Sequence, residues 1–349
     1  MTLYTNCDLA ADTGAVTSPR RLPGHLCGDP ASLMPVVEAF AMRIPADLLS
    51  RMQGPQCPLA KQFIPDPREL QDPCTDGDPL AEELQSPAPL IVHRYPYRVI
   101  FLVSNQCAAY CRFCMRKRRV RAQGQTLSRA VAESLAYIHQ RKDINEVILS
   151  GGDPLMLSDS RLEEILGALR QIAHVKILRI HTRMPCVQPR RITSGFARLL
   201  ASFHPLFINV HCNHPLEITG EAARALSRLA DAGIPMGSQS VLLKDVNDRT
   251  ETLHRLMEEL LVNRVKPYYL HQIDRVPGTA HFRVSMEQAL ELMAGLRGRL
   301  SGMAMPHFMI DLPGGGGKME LLPESIVEKK SDHWIIRNFQ GRIFRYPVG

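Results

Sequence analysis

The stretch Arg98–Cys114, RVIFLVSNQCAAYCRFC, decides how this chain reads. Its first half holds Val99-Ile100-Phe101-Leu102-Val103, an apolar run of the length and β-branched content of a buried strand. Its second half sets Cys107, Cys111 and Cys114 in a C-x3-C-x2-C pattern just past that strand's end. Three thiolates so placed can hold three corners of an iron–sulfur cube, leaving one iron open to a second ligand. Zinc is the competing reading, but structural zinc closes four ligands, usually as two CxxC-like pairs, and the sequence carries no second pair. Unliganded structural thiols are the third reading.

Outward from this stretch the chain becomes regular. Apolar runs at Arg98–Ser104, Glu146–Ser150, Val175–His181, Leu206–His211, Met236–Leu243 and Val265–His271 alternate with amphipathic segments at Ser128–Arg141, Ser160–Ala173, Gly195–Ser202, Gly220–Ala232 and Arg249–Asn263. A further helix, Ser285–Leu300, precedes a last run, His307–Asp311. Such alternation specifies parallel β/α units. Six units are fewer than a closed eightfold barrel needs, so the expected fold is α/β, a partial (β/α)6 TIM-like barrel. An N-terminal helical and extended wrapping segment (1–90) precedes the barrel (91–300), and a C-terminal extension (301–349) follows it. Residues 1–40 read as irregular, with a first helix around Ala46–Gln53. Ser150-Gly151-Gly152-Asp153, His181, Arg183, His211, Asn213, His214, Gln239, His271, Gln272 and Asp274 fall at strand ends or on strands, where barrels gather their chemistry.

Composition sets bounds. The 349 residues are 45% hydrophobic and 22% charged, enough for a large core, and no apolar run reaches the length of a membrane span. The first residues show neither a basic n-region nor an apolar h-region, and nine scattered cysteines suit a reducing compartment, so a cytoplasmic location is expected. The net charge of +7 raises nucleic acid as a partner. Its densest cluster, Arg116-Lys117-Arg118-Arg119 with Arg121, has no interleaved aromatic platform and adjoins the cysteines, which favours a clamp for anionic groups of a small ligand.

A second motif, Leu312-Pro313-Gly314-Gly315-Gly316-Gly317-Lys318, places one lysine after four glycines. A phosphate-binding loop would need Ser or Thr where Met319 stands, and a helix after it. A flexible linker is a second reading. The third is a mobile lysine able to form and release a Schiff base with pyridoxal phosphate (PLP).

C-x3-C-x2-C after strand one with a Gly-Gly turn after strand two resembles the radical S-adenosylmethionine (SAM) enzymes. With the glycine–lysine motif, the chain resembles the lysine 2,3-aminomutase family over roughly residues 45–349. His93-Arg94-Tyr95-Pro96, Asn213-His214-Pro215, Gln239-Ser240-Val241-Leu242-Leu243, Pro267-Tyr268-Tyr269 and Arg337-Asn338-Phe339 add to that resemblance. It implies a [4Fe–4S] cluster on Cys107, Cys111 and Cys114, with SAM chelating the open iron. Ser150, Gly151, Gly152, Asp153, His211 and Gln239 would line SAM. Lys318 would carry PLP, Arg94 with Tyr95 would meet the PLP phosphate region, Arg116 the substrate carboxylate, and Asp274 with Asp311 the distal ammonium of a basic amino acid. The implied reaction is a 1,2-amino migration converting L-lysine, or a close basic amino acid, to its β-isomer. Arginine or ornithine, or the lysine attached to elongation factor P, are alternative substrates. The implied partners are an amino acid and an electron donor such as flavodoxin or ferredoxin, with no nucleic acid and no membrane; the resemblance leaves room for a homo-oligomer. The sequence up to Gly349 lacks the cysteine tail of zinc-binding members, and Arg249 stands where those carry a partner cysteine, so the likeness is to the short form. His271 stands where the family often has tyrosine. The reading from another class is a basic, metal-dependent nucleic-acid-binding or sensor protein.

Overall fold

A computed structural model describes residues 14–120, 127–322, 325–338 and 340–347; Arg121 and Phe339 lie outside these. The first two strands, β1 (Ile91–Tyr95) and β2 (Arg98–Ser104), form an antiparallel hairpin. From β2 the sheet runs parallel through β3 (Glu146–Gly151), β4 (Ile177–Thr182), β5 (Leu206–His211), β6 (Met236–Leu242), β7 (Val265–Gln272) and β8 (His307–Leu312). An antiparallel β9 (Gly317–Glu320) ends it. Strand order follows the chain from β1 to β9 without ladder closure. The seam between the outer strands is bridged by the Tyr95 side chain: the Lys318 backbone amide of β9 donates to the Tyr95 hydroxyl of β1 at 2.8 Å.

Three short helices precede the sheet: α1 (Pro30–Ala39), α2 (Ala46–Leu49) and α3 (Pro58–Phe63). The parallel crossovers carry α4 (Leu127–Gln140), α5 (Asp159–Arg170), α6 (Met184–Val187) with α7 (Ser194–Ala201), α8 (Gly220–Asp231), α9 (Thr250–Val262) and α10 (Met286–Leu296). This gives six β/α units followed by β8, the open α/β barrel that the alternation of apolar runs and helices specifies. In α8, buried Ala222, Ala225, Leu226 and Leu229 recur at helical spacing, and the Thr219 side chain caps the first turn by accepting from the Ala222 amide. In β4, Leu178, Ile180 and Thr182 are buried while Ile177, Arg179 and His181 keep partial exposure, so one row serves the core and the other is left for chemistry.

Residues read as irregular contain α1, which starts at Pro30 after the capping carboxylate of Asp29. The helix expected at Ala46–Gln53 is the four-residue α2. Chain before β1 packs on the cysteine loop: the Tyr110 amide donates to Arg43 O and the Arg112 amide to Gln62 O. The buried Arg112 guanidinium makes a two-point ion pair with Glu69 (2.8 and 2.7 Å) and donates to the carbonyls of Phe40 and Ala41. Arg112→Ala would leave Glu69 buried without that partner, and the expected loss of stability is about 3–5 kcal/mol in denaturant unfolding. A loss below 1 kcal/mol would show that the pair carries no such weight.

A separate three-stranded antiparallel sheet, β10 (Ile326–Lys329), β11 (His333–Arg337) and β12 (Ile343–Pro347), ends the described chain. No described helix is long and apolar enough to cross a membrane.

Candidate active site

The cysteine loop leaves β2 at Ser104 and is strapped to the turn after β3. The Gly152 amide donates to Ser104 O at 2.6 Å and the Asp153 amide to Gln106 O at 2.7 Å. A Cβ on Gly151, whose φ is +120°, would meet Ser104 O at 2.2 Å; one on Gly152 would meet Gln106 O at the same distance. The glycines are therefore required by the neighbouring loop backbone, not by a ligand's approach alone. Gly152→Ala is expected to lower stability by about 2–4 kcal/mol and to reduce iron bound per chain. A melt and an iron assay check both, and unchanged iron content would contradict the strapping role. Asp153 serves the same turn. Its carboxylate accepts from the Leu155 amide, the Thr182 hydroxyl and the Arg183 amide, and burial pushes its pKa up.

The three thiols sit beneath this strap. Burial, with Cys111 adding to it, pushes Cys114 up to about 11; burial likewise raises Cys107. Such thiols ionise on binding a metal. Arg183 Nη1 donates to Cys111 Sγ at 2.8 Å. Another group of ligand-type atoms, Cys186, Cys212 and Glu217, converges within 4.8 Å. There the Glu217 carboxylate already accepts from Arg183, Gln62 and the amides of Asn213 and His214, so no metal is assigned.

Around the strand ends lies a second, charged group. Arg116 places Nε and Nη2 on Glu82 (3.1 and 2.6 Å) and Nη1 on Ser150 Oγ (3.3 Å). Burial works against the Glu82 anion, but Arg116, Arg118 and Arg119 outweigh it and hold Glu82 at about 2. Asp311 on β8 accepts from Lys318 Nζ at 2.5 Å and lies 3.4 Å from Arg94 Nη1 and 3.7 Å from His271 Nδ1. Arg94 also donates to Gln85 Oε1 and Leu80 O. Asp274, just past β7, is raised to about 7, first by burial and then by Asp311, against the pull of Lys318 and Arg116. His211 and Gln239 are register partners on β5 and β6. Burial, then Arg183, lowers His211 to about 3, so it is neutral at pH 7; its Nε2 meets Asn213 Oδ1 at 3.1 Å.

The glycine–lysine motif differs from a mobile loop. Asp311 and Lys318 are register partners of the β8–β9 hairpin, and the glycines form its turn, with the Gly314 amide held by Pro79 O. Positive φ at Gly314, Gly315 and Gly317 explains the composition. Lysine motion is therefore side-chain motion off a fixed strand. Reasoning from sequence missed Glu82, whose segment reads as a wrap, and gave Arg183 a place at a strand end without a partner. Nothing local in the sequence marks either contact.

Comparison with known proteins adds independent weight. The Radical SAM superfamily model matches residues 101–257, and the Lysine-2,3-aminomutase model matches 293–348. The chain is 43% identical over 314 residues to the L-lysine 2,3-aminomutase of Clostridium subterminale, covering 89% of this chain and 76% of that protein. It is 41% identical over 297 residues to the L-lysine 2,3-aminomutase of Fusobacterium nucleatum (84% and 70%). It is also 44% identical over 289 residues to the glutamate 2,3-aminomutase of Clostridioides difficile (82% and 68%).

Proposed function

The chain belongs to the lysine 2,3-aminomutase family of radical SAM enzymes, and from that premise we propose that it moves the α-amino group of a basic amino acid to the β-carbon. The family is enzymatic and uses SAM and a [4Fe–4S] cluster. PLP dependence, the basic substrate and the residue roles below are our reading.

The observation that carries it is the acid pair. Asp311 lies close enough to Asp274 to raise the cost of ionising Asp274, and Asp311 already holds an alkylammonium, that of Lys318. Two carboxylates at one end and Arg116 at the other suit a ligand with a cationic tail and a carboxylate head. A carboxylate-tailed substrate would meet repulsion there, which sets this chain's preference apart from that of its glutamate-acting relative.

Cys107, Cys111 and Cys114 would hold the cluster, with Ser150, Gly151, Gly152, His211 and Gln239 around SAM and Asp153 fixing the turn. Lys318, Arg94 and Tyr95 would hold PLP. When bound, these groups supply a 5′-deoxyadenosyl radical that takes hydrogen from the β-carbon and a π system that spreads the unpaired electron during migration. The chain's own part is placement. Glu82 fixes Arg116 from one side, so the guanidinium presents Nη1 without having to be ordered by substrate. Tyr95 holds the Lys318 backbone while its side chain exchanges partners. Neutral His211 and His271, both lowered first by burial, add no positive charge beside the substrate ammonium.

The reading is tested on anaerobically purified protein. Iron–sulfide absorption that changes on adding SAM, with a borohydride-sensitive PLP band, is the expected result. Zinc in place of iron, with salt-sensitive RNA binding, would favour the nucleic-acid or sensor alternative.

A further inference from the structure

Arg183 stands between β4 and α6, and its side chain is almost wholly buried. Its guanidinium carbon lies 4.4 Å from the ring centroid of Phe63 and 5.4 Å from that of Phe113. Nη1 donates to Cys111 Sγ at 2.8 Å, Nη2 to Glu217 Oε2 at 2.7 Å and to Gln62 Oε1 at 2.6 Å, and Nε to Glu217 at 3.2 Å. The backbone amide of Arg183 is fixed in turn by Asp153. One buried cation is therefore aimed at a sulfur of the cysteine triad. Its orientation is set by a carboxylate that itself accepts from Asn213 N, His214 N and Gln62 Nε2.

We propose that Arg183 is a positioning residue for the iron–sulfur cluster: through its hydrogen bond to Cys111 Sγ, oriented by Glu217, it raises the cluster's reduction potential. The inference rests on Cys107, Cys111 and Cys114 holding that cluster. Reduction adds one electron, from a flavodoxin- or ferredoxin-type donor or from dithionite, to a group already negative through its thiolates; no bond is made or broken. A buried cation and a hydrogen bond to a ligand sulfur both stabilise the added charge, and both are levers that set cluster potentials. Glu217 opposes the Arg183 charge, so the two residues act with opposite sign. A purely structural role, pinning Gln62 of the N-terminal segment to the strand ends, predicts an effect on stability and none on potential.

The test is redox titration of the reconstituted full-length protein, followed by the EPR signal of the reduced cluster, with iron and sulfide counted per chain. In Arg183→Gln the ratio of reduced to oxidised cluster at a fixed potential is expected to fall at least tenfold, a shift of about 59 mV for one electron. Glu217→Gln is expected to raise that ratio at least threefold, and Arg183→Lys to return it to within threefold of the parent. Arg183→Gln and Glu217→Gln proteins with parental iron content and ratios within twofold of the parent overturn the proposal. If Arg183→Gln does not hold iron, Glu217→Gln decides alone, and an unchanged ratio overturns it. A parent protein that binds no iron–sulfur cluster refutes instead the reading of the cysteines.

Discussion

Lys318→Ala is expected to fold and to carry its iron–sulfur cluster, yet to form β-amino acid at a rate lower by on the order of 10³-fold or more. The β8–β9 hairpin holds the backbone at this position. The Lys318 amide donates to Tyr95, and its residue pairs in register with Asp311, so the backbone keeps its position when the side chain is cut back. What is lost is the amine, the group able to hold PLP covalently and to be released when a substrate amine replaces it. Asp311 keeps Arg94 and His271 nearby, so its burial remains partly compensated and the fold is not the casualty. Lys318→Arg should not restore activity, because a guanidinium matches the charge and not the chemistry. Product chromatography gives the rate, and borohydride treatment followed by peptide mass analysis locates PLP. Parental rates in Lys318→Ala would remove PLP from this lysine.

The second large effect concerns the acid pair. Asp274→Asn and Asp311→Asn are each expected to raise the KM for a basic substrate by about 10- to 100-fold, the worth of a charge-assisted hydrogen bond in a buried site. The pH dependence has a definite sign. Asp274 sits at about 7 in the ligand-free protein, so below that pH it is increasingly protonated and neutral. An ammonium tail needs the anion, so the apparent KM for lysine should rise roughly tenfold per pH unit below 7 and flatten above it. Asp274→Asn should abolish that dependence. A KM that falls with falling pH, or one that ignores both substitutions, would remove these aspartates from the substrate.

Much of the fold was legible because it is written in periodicity. Each β/α unit alternates an apolar run with an amphipathic helix, and the open barrel follows from their number. Boundaries drifted by up to four residues: β4 begins at Ile177 and not Val175, and α10 ends at Leu296 and not Leu300. The β1 hairpin strand and α1 were not read, since His93-Arg94-Tyr95 carries no apolar alternation and α1 contains Pro35. The cysteine spacing, the Gly-Gly turn and the lysine after four glycines were legible as motifs. Their partners were not. That Arg116 rests on Glu82 and that Arg183 reaches Cys111 are contacts between distant segments, fixed only when the strands assemble; the Asp311–Lys318 pair is local, but it depends on the register of the β8–β9 hairpin, which the four glycines do not spell out. The reason for the glycines also changed: Gly152 yields to the backbone of Gln106, and the later glycines shape a hairpin turn. Glu69 and Glu82, in a segment rich in proline and acid, are buried ion-pair partners of Arg112 and Arg116, roles that composition alone does not signal.

Amino migration on a basic amino acid is tested most directly by anaerobic incubation of the reconstituted protein with dithionite, SAM and PLP against lysine, arginine, ornithine and glutamate in parallel, with each product analysed for the position of its amino group. The expected result is that a basic amino acid gains its amino group at C3 and that glutamate is left unchanged. Conversion of glutamate alone would contradict it.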